Sequence, residues 1–205
     1  MKPQLFIIDG IIGAGKSHAI GILQQIYKKR EDVFIFSEPI EEYTKITLIK
    51  TVYDPLQKLY DGDSGDTVCS QLHFITTLSR LSWTYPDNSY IICERCLPSC
   101  EVFINTLRDL HKISQYTKDY LLHTLDSNLN DLHHSVDIVK HYIINTPILT
   151  CIKRIKERGR KAEQNTLSKQ DWVCYETYLQ HNFNKLQNTV TLSQNDMIAD
   201  ICKHI

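Results

Sequence analysis

The chain of 205 residues lacks the features that would place it in a membrane, on a nucleic acid or in a disulfide framework. No apolar run approaches the roughly 20 residues that a membrane span requires. Lys and Arg number 23 against 24 for Asp and Glu, a formal net charge of -1. Such a balance gives no general attraction to nucleic acid or anionic lipid, so any anion must be held by local clustering. Met1 is followed almost at once by an apolar run, so we expect no signal or transit peptide and a cytoplasmic location. Seven scattered cysteines, an odd number, suit reduced thiols rather than a set of bridges. The cluster CERCLPSC lacks a second Cys or His pair at similar spacing, so a structural zinc site is not expected. No repeat, low-complexity tract or linker divides the sequence, and one domain over residues 1–205 is expected.

Short apolar runs rich in Ile, Val and Phe stand at Leu5–Ile8, Val33–Phe36, Tyr90–Cys93, Ile138–Ile144 and Val190–Leu192. They read as buried parallel strands. Between them apolar residues recur every three or four positions at Ser17–Lys29, Cys69–Tyr85, Ser114–His134, Pro147–Arg158 and Lys169–Leu186, the spacing of helices. The alternation predicts an α/β fold, a five-stranded parallel sheet with helices on both faces and ligands beyond the carboxyl ends of the strands. The stretch YDGDSGD, Tyr60–Asp66, is the richest in turn residues.

Glycine is scarce, yet three of the seven fall between positions 10 and 15, in LFIIDGIIGAGKSH. Gly10, Gly15, Lys16 and Ser17 satisfy GxxxxGK[ST] between a strand and a helix. The backbone N–H groups from Gly13 and Ala14 through His18 would then face phosphate oxygens at a helix N-terminus. Lys16 would reach the β and γ phosphates of a nucleoside triphosphate, and Ser17 would hold Mg²⁺. A switch GTPase is disfavoured: no Asp has Gly three places on, and the only Asn-Lys, Asn184-Lys185, lies in a helical pattern.

Three further clusters carry chemistry. FSEPIEEY places Glu38 at the end of the second strand, where a carboxylate can accept the proton of an attacking hydroxyl. YIICERC runs from apolar residues into Glu94, an acid able to reach Mg²⁺, and Arg95, a guanidinium able to hold an oxygen near a transferred phosphoryl group. A surface ion pair is the alternative, since neighbours on a strand point to opposite faces. CIKRIKERGRKAEQ crowds Arg154, Arg158 and Arg160 together, with Gly159 allowing a turn, as a flap closing on phosphates would need.

With GIIGAGKS, SEP, LQKLY, the Glu-Arg-Cys step and TPILTCIKRIKERGRKAEQ, the chain resembles the deoxynucleoside kinase family from about Leu5 to Leu192. The resemblance implies a three-layer P-loop kinase fold with an Arg-rich lid near residues 153–165. It implies transfer of phosphate from Mg-ATP to the 5′-hydroxyl of a deoxynucleoside, in nucleotide salvage for DNA synthesis, by a homodimer. Catalytic roles then fall to Glu38, Arg95 and Lys16, metal roles to Ser17 and Glu94, and the lid to Arg154, Arg158 and Arg160. Tyr60 and Glu163 match the pair that holds the 3′-hydroxyl, and Tyr43 stands where the family often has Trp against the base. The base-reading Gln has two registers: Gln71 with Phe74 and Leu78, or His73 with Arg80 as a base contact. We prefer the first, because an amide donates and accepts at once and the three residues share a helix face. Cys96 replaces the usual Ser, and Cys100 stands where deoxycytidine enzymes carry Asp. An apolar Leu78 and a small Cys100 leave room for the methyl of thymine, and Phe103 is a further pocket aromatic. Thymidine is the preferred substrate, with deoxycytidine or deoxyuridine next. A thymidylate kinase is the nearest rival, and a non-catalytic nucleotide-binding module or a zinc-bearing thymidine kinase of the second type are others.

Overall fold

The computed structural model describes residues 1–205 except 45, 48–51, 62, 63, 81–83, 161–168 and 187. Its five-stranded sheet has the order β2-β5-β1-β6-β7, formed by Gln4–Asp9 (β1), Val33–Phe36 (β2), Tyr90–Glu94 (β5), Asp137–Ile144 (β6) and Thr189–Leu192 (β7). All pairings are parallel, with Ile7 opposite Cys93 on one side and His141 on the other. The central strand is apolar on both faces because both are covered: Leu5, Phe6, Ile7 and Ile8 have no exposed surface. A two-residue pair, Ile46–Thr47 (β3) and Val52–Tyr53 (β4), forms a separate antiparallel ladder.

The helices are Lys16–Tyr27 (α1), Ile40–Thr44 (α2), Pro55–Asp61 (α3), Ser64–Ser79 (α4), Leu97–Asp109 (α5), Gln115–Ser135 (α6), Ile148–Arg158 (α7), Lys169–Phe183 (α8) and Gln194–His204 (α9). Ala19, Ile20 and Leu23 of α1 join Phe6, Ile8 and Tyr142 in one core. Leu97, Cys100, Ile104 and Leu107 of α5 join Leu5, Ile7 and Cys93 in the other. Helices α1 and α5 thus leave the adjacent strands β1 and β5 toward opposite faces. Their first turns part and open a crevice at the carboxyl edge of the sheet, where ligands of such folds sit.

Two expectations are corrected, and a helix start unmarked in the sequence is added. Helix α4 runs Ser64–Ser79 rather than Cys69–Tyr85; Thr84 and Tyr85, just ahead of Pro86, are not helical, and Tyr85 instead packs on Phe34 and Phe36 with ring centroids 4.8 and 5.9 Å away. The turn-rich stretch Tyr60–Asp66 is mostly helical, with α3 reaching Asp61 and α4 starting at Ser64. CERCLPSC ends a strand and opens α5, whose Pro98 sits in the first turn, where its missing N–H has no intrahelical partner to lose.

Phe6 shows how tightly the sheet is covered, lying 6.5 Å from the Tyr142 ring and 5.9 Å from the His204 ring on α9. Phe6→Ala is expected to lower unfolding free energy by about 3–5 kcal/mol, read as a lower denaturant midpoint at unchanged slope.

Candidate active site

The glycine loop crosses the crevice between β1 and α1. Gly13 has φ 82° and approaches α7 so closely that a Cβ would stand 2.7 Å from the Cys151 carbonyl oxygen. Gly15 has φ 106°, and a Cβ there would meet Gln194 at 2.8 Å. Both positions favour glycine for conformation, and Gly13 also for space, since a Cβ there meets backbone rather than a movable side-chain tip. Gly10 and Ala14 complete the loop from beneath: Ala14 is buried, and its carbonyl accepts from Thr146 and Arg154.

A cavity of about 360 Å³ lies under this loop. Its charged lining gathers Lys16, Glu38, Glu94, Arg95 and three further arginines, Arg154, Arg158 and Arg160, with Ser17 and His18. The same cavity is lined by the uncharged side chains of Tyr43, Gln71, Phe74, Leu78, Cys100 and Phe103. The rings of Tyr43 and Phe74 face each other at 4.6 Å, tilted by 54°. Gln71 is 1% exposed, and its amide N and O meet no partner among the described residues. His73 and Arg80 do not line the cavity; His73 Nε2 lies 2.8 Å from the Glu42 carbonyl oxygen, outside it. Tyr60 lies on α3, but its side chain and the whole of Glu163 are outside the described residues.

Glu94 and Arg95 reach the same cavity although strand neighbours should diverge. The reason is backbone: Arg95 follows the strand with φ 61°, a left-handed conformation that swings its side chain back over the edge of β1. The step is held by Arg95 N–H donating to the Ile8 carbonyl at 3.1 Å. Arg95 Nε then stands 3.0 Å from Glu38 Oε1, close but misaligned for a hydrogen bond, and its guanidinium lies 4.6 Å over the Phe103 ring. Ser17 Oγ donates to Glu94 Oε1 at 2.9 Å, so two hard oxygens meet at the head of the loop, a donor set that fits Mg²⁺.

Residues 6–200 match the sequence profile of the deoxynucleoside kinase family. The chain belongs to that family. No curated protein matches it individually. Among solved structures it is similar to the deoxyadenosine kinase from M. mycoides in three complexes, at 20% identity each. These hold the products dCMP and a flexible dCDP (TM-score 0.67), dATP (0.69) and dCTP (0.70). In each, 98% of this chain is covered, with 97%, 97% and 100% of the other. The fold is therefore that of a P-loop kinase, and the protein is a nucleoside-phosphorylating kinase.

The electrostatics of this kinase's crevice follow from burial. Desolvation raises the Glu38 carboxyl above the ordinary glutamate range, against the pull of Arg95 and Lys16. Burial likewise lowers Lys16 to about 8, with Arg95 adding to the shift and Glu38, Glu94 and Asp9 opposing it. Lys16 Nζ is folded back on the carbonyls of Gly10 and Ile11, at 3.3 and 3.2 Å. Burial also pushes the Cys100 thiol and the Tyr43 hydroxyl up, which keeps these two side chains neutral.

Sequence reasoning passed over Asp9 and Ser99. Asp9 is fully buried, Arg95 Nη1 lies 3.3 Å from its Oδ1, and Ser99 Oγ donates to its Oδ2. The available signal was a carboxylate closing an apolar strand directly before Gly10.

Lys16 is a buried cation with only two long bonds to carbonyls, so the ligand-free fold carries it at a cost. Lys16→Met should therefore stabilise the ligand-free protein at pH 7 by on the order of 1–3 kcal/mol. The advantage should shrink as pH rises from about 8 toward the ordinary lysine value. There the folded amine is neutral while the unfolded one still binds a proton, so wild-type stability climbs. Denaturant titrations of both proteins at pH 7, 8 and 9.5 would show it, and a gap that widens with pH would refute it.

Proposed function

We propose that this kinase transfers the γ-phosphoryl group of ATP to the 5′-hydroxyl of a pyrimidine deoxynucleoside, thymidine before deoxycytidine or deoxyuridine. The observation that carries the reading is the buried, unpartnered amide of Gln71 in the lining of a cavity that also holds Glu38, Arg95 and the glycine loop. An amide with a free donor and a free acceptor matches the edge of a base. Tyr43 and Phe74 flank that position as faces for a ring. The side chains of Leu78 and Cys100, apolar and uncharged, favour a methylated pyrimidine there.

In the charged lining Glu38 accepts the proton of the 5′-hydroxyl, and its raised basicity suits that task near neutral pH. The new O–P bond forms as the bond from the γ-phosphorus to the bridging oxygen breaks, and ADP leaves with that electron pair. Arg95 pairs with Glu38 before reaction and steadies the transferred group during it. Backbone N–H groups from Gly13 to His18 and the Lys16 ammonium hold the β and γ phosphates, and Arg154, Arg158 and Arg160 close over them. Arg154 already spans the loop, donating to the carbonyls of Gly13 and Ala14 at 3.0 and 3.1 Å. Ser17 and Glu94 would hold Mg²⁺, which neutralises triphosphate charge when bound. Tyr60 and Glu163 belong to the reading as partners of the 3′-hydroxyl, through the family resemblance. So do a homodimer and a cytoplasmic site of action.

Initial rates with labelled ATP across the four deoxynucleosides, deoxyuridine and thymidylate test the reading. Thymidine should give the highest kcat/KM, about tenfold or more above deoxyuridine, since a methyl in an apolar pocket is worth about 1–3 kcal/mol. Thymidylate should not be phosphorylated; if it is the best acceptor, or a purine deoxynucleoside is, the proposal fails. Glu38→Gln should lower kcat by about 10²–10⁴ with KM little changed. Gln71→Leu should raise the nucleoside KM by about tenfold or more while leaving the KM for ATP in place.

A further inference from the structure

Behind the cavity, on the side of Asp9 away from Arg95, lies a buried histidine with no part in the chemistry described so far. His141 sits in the middle of β6, opposite Ile7 of β1, and is 2% exposed. Because Asp9 stands two residues beyond Ile7, it shares the sheet face with His141. The His141 Nε2 lies 2.6 Å from Asp9 Oδ2, the oxygen that also accepts from Ser99. The other carboxylate oxygen faces Arg95. An unbroken row of polar contacts therefore runs Glu38, Arg95, Asp9, His141 across the ends of β2, β5, β1 and into β6.

Both partners of Asp9 in the row are anchored by backbone. Arg95 is fixed by its left-handed step and its bond to Ile8, and His141 by its N–H donating to the Asn188 carbonyl at 3.1 Å. Ser99 is held in turn, its Oγ accepting from Cys96 N–H at 2.9 Å while donating to Asp9. Between these anchors lies the Asp9 carboxylate. A carboxylate can turn about its terminal bond with little resistance, so its two donors on one oxygen decide where the other oxygen points.

We propose that His141 is a positioning residue of the kinase: by donating to one oxygen of Asp9 it orients the other toward Arg95, and so sets the guanidinium against Glu38 and the reacting groups. The inference rests on the role given to Arg95 above. His141 touches neither substrate, and its influence passes entirely through Asp9.

Glutamine and asparagine separate this from a packing role. A glutamine amide nitrogen can occupy the place of Nε2 and still donate to Asp9, whereas an asparagine amide stops short of it, where Nδ1 stood. In the full chain, His141→Gln should keep kcat within about threefold of wild type. His141→Asn and His141→Leu should each lower it by about 10- to 100-fold, with both KM values within about twofold. In the background of Asp9→Asn, His141→Leu should slow the enzyme no further. Side-chain ¹⁵N spectra read the same linkage without turnover: the Arg95 Nε–H signal should shift in the Asn and Leu variants and stay in the Gln variant. Equal kcat in all three variants, a rise in KM at constant kcat, or additive losses with Asp9→Asn would overturn the proposal. So would an Arg95 signal indifferent to position 141. A wild-type protein that phosphorylates none of the acceptors would instead refute the reading of the site, and the spectra would still judge the coupling. Should the Leu variant not fold, the Gln and Asn pair carries the comparison.

Discussion

A guanidinium kept out of water at the end of β5 is the constraint on which this site depends. Arg95 is 5% exposed and cannot shed its proton, so the fold has to answer its charge from within. It does so with Asp9 from β1, Glu38 from the turn after β2 and the face of Phe103 from α5. Three segments far apart in sequence, carrying Asp9, Glu38 and Arg95, must therefore converge until both carboxylates stand within 3.3 Å of the guanidinium. Buried ion pairs of this kind add little net stability over an apolar core, but losing one partner leaves the other stranded. Their effect is to fix geometry, which is what a phosphoryl-transfer site requires.

Lys16 is the unfinished part of the same arrangement. Its ammonium turns back on the loop carbonyls, and burial weakens its hold on the proton. On the proposed reading a triphosphate supplies the missing counter-charge, so the loop is arranged for a bound state more than for the empty one. The glycines serve the same end, letting the backbone pass within contact distance of α7 and Gln194. Function here is a local departure from the consistency that the two apolar cores show elsewhere.

Much of the fold is legible because parallel strands buried on both faces are apolar without interruption. Val33–Phe36 coincides with β2, and the other four strands extend their sequence runs by one or two residues. The glycine loop is legible because its spacing is a requirement of the phosphate it would hold. Helix α5 is not, since its start is disguised by cysteines and a proline, and the cap is supplied by Ser99 within the first turn. The register of the base-facing helix is half legible: sequence spacing groups Gln71, Phe74 and Leu78, but only the packing of α4 against α2, which ties His73 to Glu42, shows which face meets the cavity.

The sequence by itself determined the alternating α/β order, the glycine loop with Lys16 and Ser17, and the acidic and basic residues at the strand ends, because each is written in local spacing. Tertiary structure alone decided that Glu94 and Arg95 share a cavity, since a left-handed step breaks the strand's alternation. It alone decided that Asp9 and His141, inconspicuous in two apolar runs, meet behind Arg95. Contacts of that sort depend on strand register and on where a buried charge finds its partners, and neither is a property of neighbouring residues.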